Sequence, residues 1–160
     1  MKSKALLPGS YDPPTRGHIE VVRRALEHFD EVYVVIFVNP DKETLFTKEE
    51  RLSMLRAAFD GDPRVITDID CGLVADYAAR NGISLLIKGV RNEQDFTYEL
   101  PMADHHRTKC ALDTLFLPCE PKWREISSSA VRHALQHHLP TDSLLTPEVE
   151  SVMRHILQTR

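Results

Sequence analysis

The sequence is poor in cysteine. Its three residues, Cys71, Cys110 and Cys119, are an odd number without Cys-x-x-Cys spacing, so neither a disulfide framework nor a zinc cluster is signalled. It also lacks any run approaching the roughly 18 to 20 apolar residues of a membrane span, and residues 1–7 hold no long apolar segment followed by a cleavage site. A cytoplasmic protein with reduced thiols and no membrane contact is expected. Basic excess is missing too: 20 Lys and Arg stand against 24 Asp and Glu, a net charge of -4 with pI near 6.0, which argues against a surface built to hold nucleic acid. Any anion bound is expected to be small. No internal repeat interrupts the 160 residues, and a 42% hydrophobic content suffices for one continuous core, so residues 1–160 read as a single domain.

What is present is an alternation of two periodicities. Residues 4–7 form a short apolar run stopped by Pro8-Gly9, and residues 31–38 a longer one rich in β-branched and aromatic side chains; both read as buried strands. Between them Ile19, Val22, Leu26 and Phe29 recur at helical spacing, with Glu20, Arg23, Arg24 and Glu27 on the other side. Thr47-Lys48-Glu49-Glu50 is a capping-box pattern that opens a second helix carrying Leu52, Leu55 and Phe59 inward. Residues 65–69 predict a third strand, 73–80 a helix stopped by Asn81-Gly82, 83–87 a fourth strand and 114–117 a fifth. A polar helix is expected after the Lys88-Gly89-Val90-Arg91 loop, another over 128–137, and a last one opened by Thr146-Pro147-Glu148. The fold class implied is α/β, a single Rossmann-like domain with a five-stranded parallel sheet and helices on both faces. Ligands of such sheets gather at the strands' carboxyl ends, so the loops 8–18, 39–46, 88–92 and 118–129 are expected to converge.

The first loop sets glycine and proline at a turn and then Gly17-His18 at a helix start, where free backbone N–H groups and the helix dipole favour a phosphate. There His18 can direct a ring donor at that phosphate, and Gly17 can let it come close. Thr15-x-Gly17-His18 after Pro8-Gly9-Ser10-Tyr11-Asp12-Pro13 resembles the T/H-x-G-H signature of the nucleotidyltransferase superfamily, whose members move a nucleoside monophosphate onto a phosphate or similar acceptor. The second superfamily element, an Ile-Ser-Ser-Ser or Ile-Ser-Ser-Thr sequence opening a helix against the triphosphate, is matched by Ile126-Ser127-Ser128-Ser129.

Within that superfamily, Lys88-Gly89-Val90-Arg91-Asn92-x-x-Asp95-Phe96-x-Tyr98-Glu99-x-x-Met102-Ala103, with Asn39-Pro40-x-Lys42 and Leu45-Phe46-Thr47-x-Glu49-Glu50-Arg51, resembles the bacterial phosphopantetheine adenylyltransferases over essentially the whole chain. The resemblance implies adenylyl transfer from ATP to 4'-phosphopantetheine, giving dephospho-coenzyme A and pyrophosphate, with Mg²⁺ arriving on ATP. It assigns His18 to transition-state stabilisation, with Lys42 and Arg91 as further catalytic cations. Ser10, Tyr11, His18, Gly89, Val90, Arg91 and Glu99, with Trp123, Arg124, Glu125, Ile126, Ser127, Ser128 and Ser129, fall on the ATP side; Ser10, Lys42, Val74 and Lys88 fall on the phosphopantetheine side. It further implies a homo-oligomer, commonly a hexamer, and coenzyme A as a feedback ligand.

The chemistry agrees. The acceptor is a phosphate monoester, largely ionised near neutrality, so no side chain is needed to generate the nucleophile, and catalysis reduces to positioning two anions in line and offsetting their charge. Three departures from the family pattern stand out. Lys88 occupies a position usually held by arginine, which keeps the charge and gives up the planar fork. Arg124 and Glu125 replace a serine and an aromatic residue before Ile126, so Glu125 is expected to contribute mainly backbone. Pro101 sits early in the helix after Tyr98-Glu99, where it is expected to kink that helix or shift a subunit contact. Adjacent histidines diverge by about 100° on a helix, so His105-His106 and His137-His138 do not spell a metal site. The alternatives are another small nucleotidyltransferase, such as one acting on nicotinamide mononucleotide, and a nucleotide- or coenzyme A-binding module without catalysis.

Overall fold

A computed structural model describes residues 2–160. Five parallel strands, β1 (Lys4–Gly9), β2 (Glu31–Phe37), β3 (Val65–Asp70), β4 (Leu85–Val90) and β5 (Asp113–Pro118), lie in the order β3-β2-β1-β4-β5. The helices are α1 (Arg16–Ala25), α2 (Lys48–Ala58), α3 (Val74–Arg80), α4 (Glu93–Cys110), α5 (Ser128–Gln136) and α6 (Pro147–Thr159), with a short 3₁₀ turn over Pro121–Trp123.

Strand alternation decides which helix covers which face. Ala5 and Leu7 of β1 with Val32, Val34 and Ile36 of β2 pack on Val21, Val22 and Ala25 of α1 and Leu55 of α2. Leu6, Val35 and Leu86 point the other way, onto Tyr77 and Ala78 of α3. Helices therefore flank both faces, as the alternation predicts. A third cluster joins Met54 of α2, Val131 of α5 and Val149 and Met153 of α6 around Phe46 and Leu145, and this holds α5 against the body of the domain. Among the described residues no helix is long and apolar enough to cross a membrane.

Several boundaries differ from the sequence reading. Pro8 and Gly9 continue β1, opposite Val35 and Ile36, instead of stopping it. Proline is accommodated because β1 and β4 have a single registered pair, Leu6 with Leu86, so no registered pair at Pro8 calls on its nitrogen from that side. The fourth strand lies later than residues 83–87: Lys88, Gly89 and Val90 are strand, paired with Phe116, Leu117 and Pro118. Phe29 falls beyond the end of α1 and packs on the first core from a turn. Pro101 lies within α4, which runs on through it to Cys110.

The chain order reverses between β1 and β4, so the crevice at their carboxyl ends is the topological switch point of the sheet.

Candidate active site

At that crevice lies a cavity of about 480 Å³. Its walls are the end of β1 and the following loop (Pro8 to Asp12), the start of α1, Lys42, the end of β4, one side of α4 and the start of α5. The four expected loops do converge there.

The loop after β1 is held by three side chains from α2 and α5. The Arg51 guanidinium, buried beneath it, donates to the Ser10 carbonyl at 2.7 Å, Arg132 donates to the Asp12 carbonyl at 2.7 Å, and the Ser128 hydroxyl donates to the Pro13 carbonyl at 2.8 Å. The Asp12 carboxylate, 2% exposed, accepts from the backbone N–H groups of Leu45 and Phe46 at 2.8 and 2.9 Å and so fastens the loop that carries Lys42. Lys42 in turn donates to the Ser10 hydroxyl at 3.1 Å. Tyr11 takes a left-handed backbone conformation, φ +50°, which costs a non-glycine residue of order 1 kcal/mol. Its hydroxyl donates to the Leu7 carbonyl at 2.8 Å and its ring packs edge-on to His18 with centroids 5.0 Å apart. Gly9 makes room for that ring, since a β-carbon there would stand 2.8 Å from Tyr11 Cε2.

His18 is oriented by the first turn of α1. Its Nδ1 accepts from the Thr15 backbone N–H at 3.0 Å, while Thr15 Oγ1 accepts from the His18 N–H, a reciprocal cap. Because a backbone N–H can only donate, Nδ1 carries the lone pair and the proton sits on Nε2, so the ring turns a neutral donor toward the cavity that it lines. Burial, with the Arg91 guanidinium nearby, lowers the imidazole pKa to about 4. A lowered value means that the native state favours the neutral ring. The stabilisation this represents is complete above the ordinary 6.5 and is lost as pH falls toward about 4. In a pH series of proton–nitrogen spectra, His18 is expected to stay in the neutral Nε2–H form through pH 6 and to titrate near 4; a midpoint near 6.5 would contradict this environment.

The serine triplet divides three tasks. Ser127 caps α5 by accepting from the Ala130 N–H at 3.0 Å, Ser128 makes the Pro13 tie, and the Ser129 hydroxyl accepts from Arg132 at 3.0 Å. All three line the cavity, so the N-termini of α1 and α5 open on one space. On the opposite wall the Arg91 guanidinium donates to both oxygens of Asp95 at 2.9 and 3.2 Å, and Lys88 pairs with Glu99 at 3.3 Å. Gly89 permits the close pass of β4 over α1, because a β-carbon there would meet Val21 Cγ2 at 2.8 Å.

Ser10, Tyr11, His18, Lys42, Lys88, Gly89, Arg91, Glu99, Ile126 and Ser127 to Ser129 thus come together. Five expected residues stand off the cavity. Val74 packs on the second core beside Tyr77, and Val90 contributes its carbonyl to the Cys119 N–H at 2.8 Å. Trp123, in the 3₁₀ turn, takes the Ile126 N–H on its carbonyl, while the neighbouring Arg124 and Glu125 are exposed. Gly17 also lines the cavity, and a β-carbon there would meet the Thr15 hydroxyl at 3.6 Å and the Ile126 and Trp123 carbonyls at 3.8 and 3.9 Å, all ordinary contacts. Asp12, Thr15 and Asp95 stand in the quoted motifs, where sequence reasoning gives them no individual role, and it passes over Arg132 altogether. Arg132 is the most consequential, a fourth cavity cation, and its signal was the three-residue spacing from Ser129 on one helix face.

Four cations and two helix N-termini around one space, with the His18 imidazole among the lining side chains, are chemically suited to a polyphosphate. Comparison with known proteins agrees with that chemistry. Residues 6–134 match the family described as cytidylyltransferase-like. The chain is similar to a phosphopantetheine adenylyltransferase of Kocuria rhizophila, 42% identical over 91% of this chain and 94% of the relative. Similar matches are the proteins of the same name from Corynebacterium diphtheriae, 37% identical over 94% and 95%, and Symbiobacterium thermophilum, 42% identical over 90% of each. With likeness of this extent and the signature residues gathered at one crevice, the chain belongs to the phosphopantetheine adenylyltransferase family of cytidylyltransferase-like proteins.

Proposed function

We propose that this protein transfers the adenylyl group of ATP to the phosphate of 4'-phosphopantetheine in coenzyme A biosynthesis. An acceptor phosphate oxygen attacks the α phosphorus, the bond from that phosphorus to the oxygen bridging to the β phosphate breaks, and pyrophosphate leaves as dephospho-coenzyme A forms. The observation that carries this reading is His18: a neutral Nε2–H donor, fixed through Nδ1 at one helix N-terminus, facing a space shared with a second helix N-terminus. A donor of that kind stabilises charge developing on the phosphoryl oxygens without itself changing protonation state. Lys42 and Lys88 serve the acceptor phosphate. Arg91, Arg132 and the serines Ser127 to Ser129 serve the nucleotide, together with Ser10, Tyr11 and Gly89.

The transfer is direct. The one cysteine in the cavity wall, Cys119, is buried and its thiol pKa is raised chiefly by that burial, which makes it a poor nucleophile. Trapping of a covalent adenylyl-enzyme from labelled ATP would refute a direct transfer. Magnesium is proposed to travel with ATP. The cavity carboxylates are already engaged, Asp12 by two backbone N–H groups, Asp95 by Arg91 and Glu99 by Lys88, and this donor set fits an ion held by phosphates and water. So bound, the ion would neutralise charge on the leaving pyrophosphate.

A homo-oligomer, a hexamer by resemblance, and feedback occupation of the site by coenzyme A belong to the same proposal, as does a cytoplasmic location. The oligomer is supported by α4, none of whose residues is buried, and by the exposure of Leu100 and Met102 on that helix and of Leu115 on the edge strand β5. Light scattering measures the assembly. The activity is tested by magnesium-dependent release of pyrophosphate from ATP with 4'-phosphopantetheine, nicotinamide mononucleotide or glycerol 3-phosphate. Release with the first alone is expected; release with nicotinamide mononucleotide instead, or none despite ATP binding, would overturn the assignment.

A further inference from the structure

Helix α4 brings two carboxylates to the cavity wall, and they hold their cations in different ways. Glu99 meets the Lys88 ammonium alone, at 3.3 and 3.4 Å from its two oxygens. Asp95 takes Arg91 at three points: it accepts from the backbone N–H at 3.1 Å, from Nε at 2.9 Å and from Nη2 at 3.2 Å. The start of α4 makes this possible. An acidic side chain at the third helical position ordinarily turns back to the N–H of the capping residue. Here Asn92 caps the helix by accepting from the Asp95 N–H at 2.9 Å, and the Asp95 carboxylate reaches one residue further, to Arg91. The residue before Arg91 is held as well, the Val90 carbonyl accepting from the Cys119 N–H at 2.8 Å. Arg91 is thus clamped at its backbone and along one edge of its guanidinium. Of the five N–H donors of a guanidinium Asp95 takes one on Nε and one on Nη2, and Nη1 makes no hydrogen bond among the described residues. Nη1 and the second N–H of Nη2 remain for a ligand of the cavity that both residues line.

We propose that Asp95 is a positioning residue for the nucleotide: by occupying one edge of the Arg91 guanidinium and the Arg91 N–H, it fixes the other edge for the polyphosphate before substrate arrives. This rests on the proposed function, since it assigns Arg91 to the nucleotide. Charge alone does not explain a carboxylate at this place, because it repels the polyphosphate that the cavity cations attract. Stability does not explain it either: an ion pair whose side chains are 35% and 27% exposed contributes little to folding. What Asp95 supplies is direction. An unheld arginine would lose the freedom of its long side chain only on binding, at the expense of affinity and alignment, whereas a clamped one has lost it on folding. Lys88, held by its ammonium alone, has no such constraint, so the two cations of this wall differ: Arg91 is set in advance, and Lys88 is free to follow its phosphate.

A double-mutant cycle on the full chain tests this, read in kcat for pyrophosphate release and in the calorimetric Kd for ATP. Asp95→Asn removes a negative charge from the cavity and leaves the helix cap in place, because Asn92 holds the backbone of residue 95. The amide can accept from Arg91 through one oxygen only, so kcat should fall about five- to twentyfold, while the Kd for ATP moves by less than about threefold, lost orientation being offset by lost repulsion. Asp95→Glu keeps the charge and changes its reach. It should lower kcat as well, and with no relief of repulsion its Kd for ATP should rise about three- to tenfold. Both variants should melt within about 3 °C of the wild type, since the pair is part-exposed. In the Arg91→Ala background neither substitution should lower kcat further. An unchanged kcat in Asp95→Glu, or in Asp95→Asn with tighter ATP binding, would reduce Asp95 to a counter-ion, and a fall of the same size without Arg91 would place its action elsewhere; either result overturns this role and leaves the proposed function standing. Absence of pyrophosphate release by the unaltered chain with 4'-phosphopantetheine would overturn the function and this role together.

Discussion

Replacing His18 by alanine is expected to lower kcat for pyrophosphate release by about 10²- to 10³-fold, roughly 2.7–4 kcal/mol of transition-state stabilisation. The magnitude follows from the kind of interaction removed, one preorganised hydrogen-bond donor in a partly dry cavity. The loss should fall on kcat and much less on the KM for ATP, because the triphosphate retains Arg91, Arg132 and two helix N-termini. The same substitution removes the acceptor of the Thr15 N–H, so a stability loss of about 1 kcal/mol should accompany it. Steady-state kinetics beside a thermal melt separate the two effects. A kcat within about threefold of the wild type would remove His18 from the chemistry.

Replacing Asp12 by alanine is expected to destabilise the fold by about 2–4 kcal/mol, lowering Tm by about 5–15 °C for a chain of this size. The carboxylate is buried and is the acceptor for the Leu45 and Phe46 N–H groups, next to a phenylalanine with no exposed surface at the centre of the third core. Without it both donors lack an acceptor, and Arg132, whose guanidinium lies 3.7 Å from the carboxylate, loses its counter-charge. The loop bearing Lys42 is then no longer fastened to the loop bearing Ser10, so the KM for the acceptor should rise as well. Asp12→Asn, which can still accept one of the two bonds, should fall between. A Tm unchanged within about 1 °C would show that the loop is held by other means.

How much of this was readable beforehand depended on the range of the interaction concerned. Alternation within β1 and β2 and the helical spacing of Ile19 and Val22 are local, and so is the capping box at Thr47, which is present as expected. Boundaries were misjudged where a long-range partner overrules local preference. Pro8-Gly9 is a stop signal by propensity, yet it remains strand because β2 runs alongside; Lys88 to Val90 are strand because β5 pairs with them. The tie between Arg132 and Asp12 is illegible for the same reason: Arg132 contacts the Asp12 carbonyl across 120 positions of chain, and the motif that contains Asp12 does not name its partner. The tautomer of His18 was equally out of reach, since it follows from which ring nitrogen the Thr15 N–H occupies.

By itself, then, the sequence determined the α/β class, the five parallel strands, the two helix starts that carry the signature motifs and the family to which the chain belongs. These are carried by periodicity and by short contiguous motifs, whose physics acts over a few residues. Only the tertiary structure decided which motif residues share the cavity, that Trp123, Arg124 and Glu125 stand outside it, that Arg132 stands inside it, and that His18 presents a neutral donor. Each of these is set by packing and hydrogen bonds between segments far apart in the chain, and side-chain direction, burial and protonation take their values only when those segments meet.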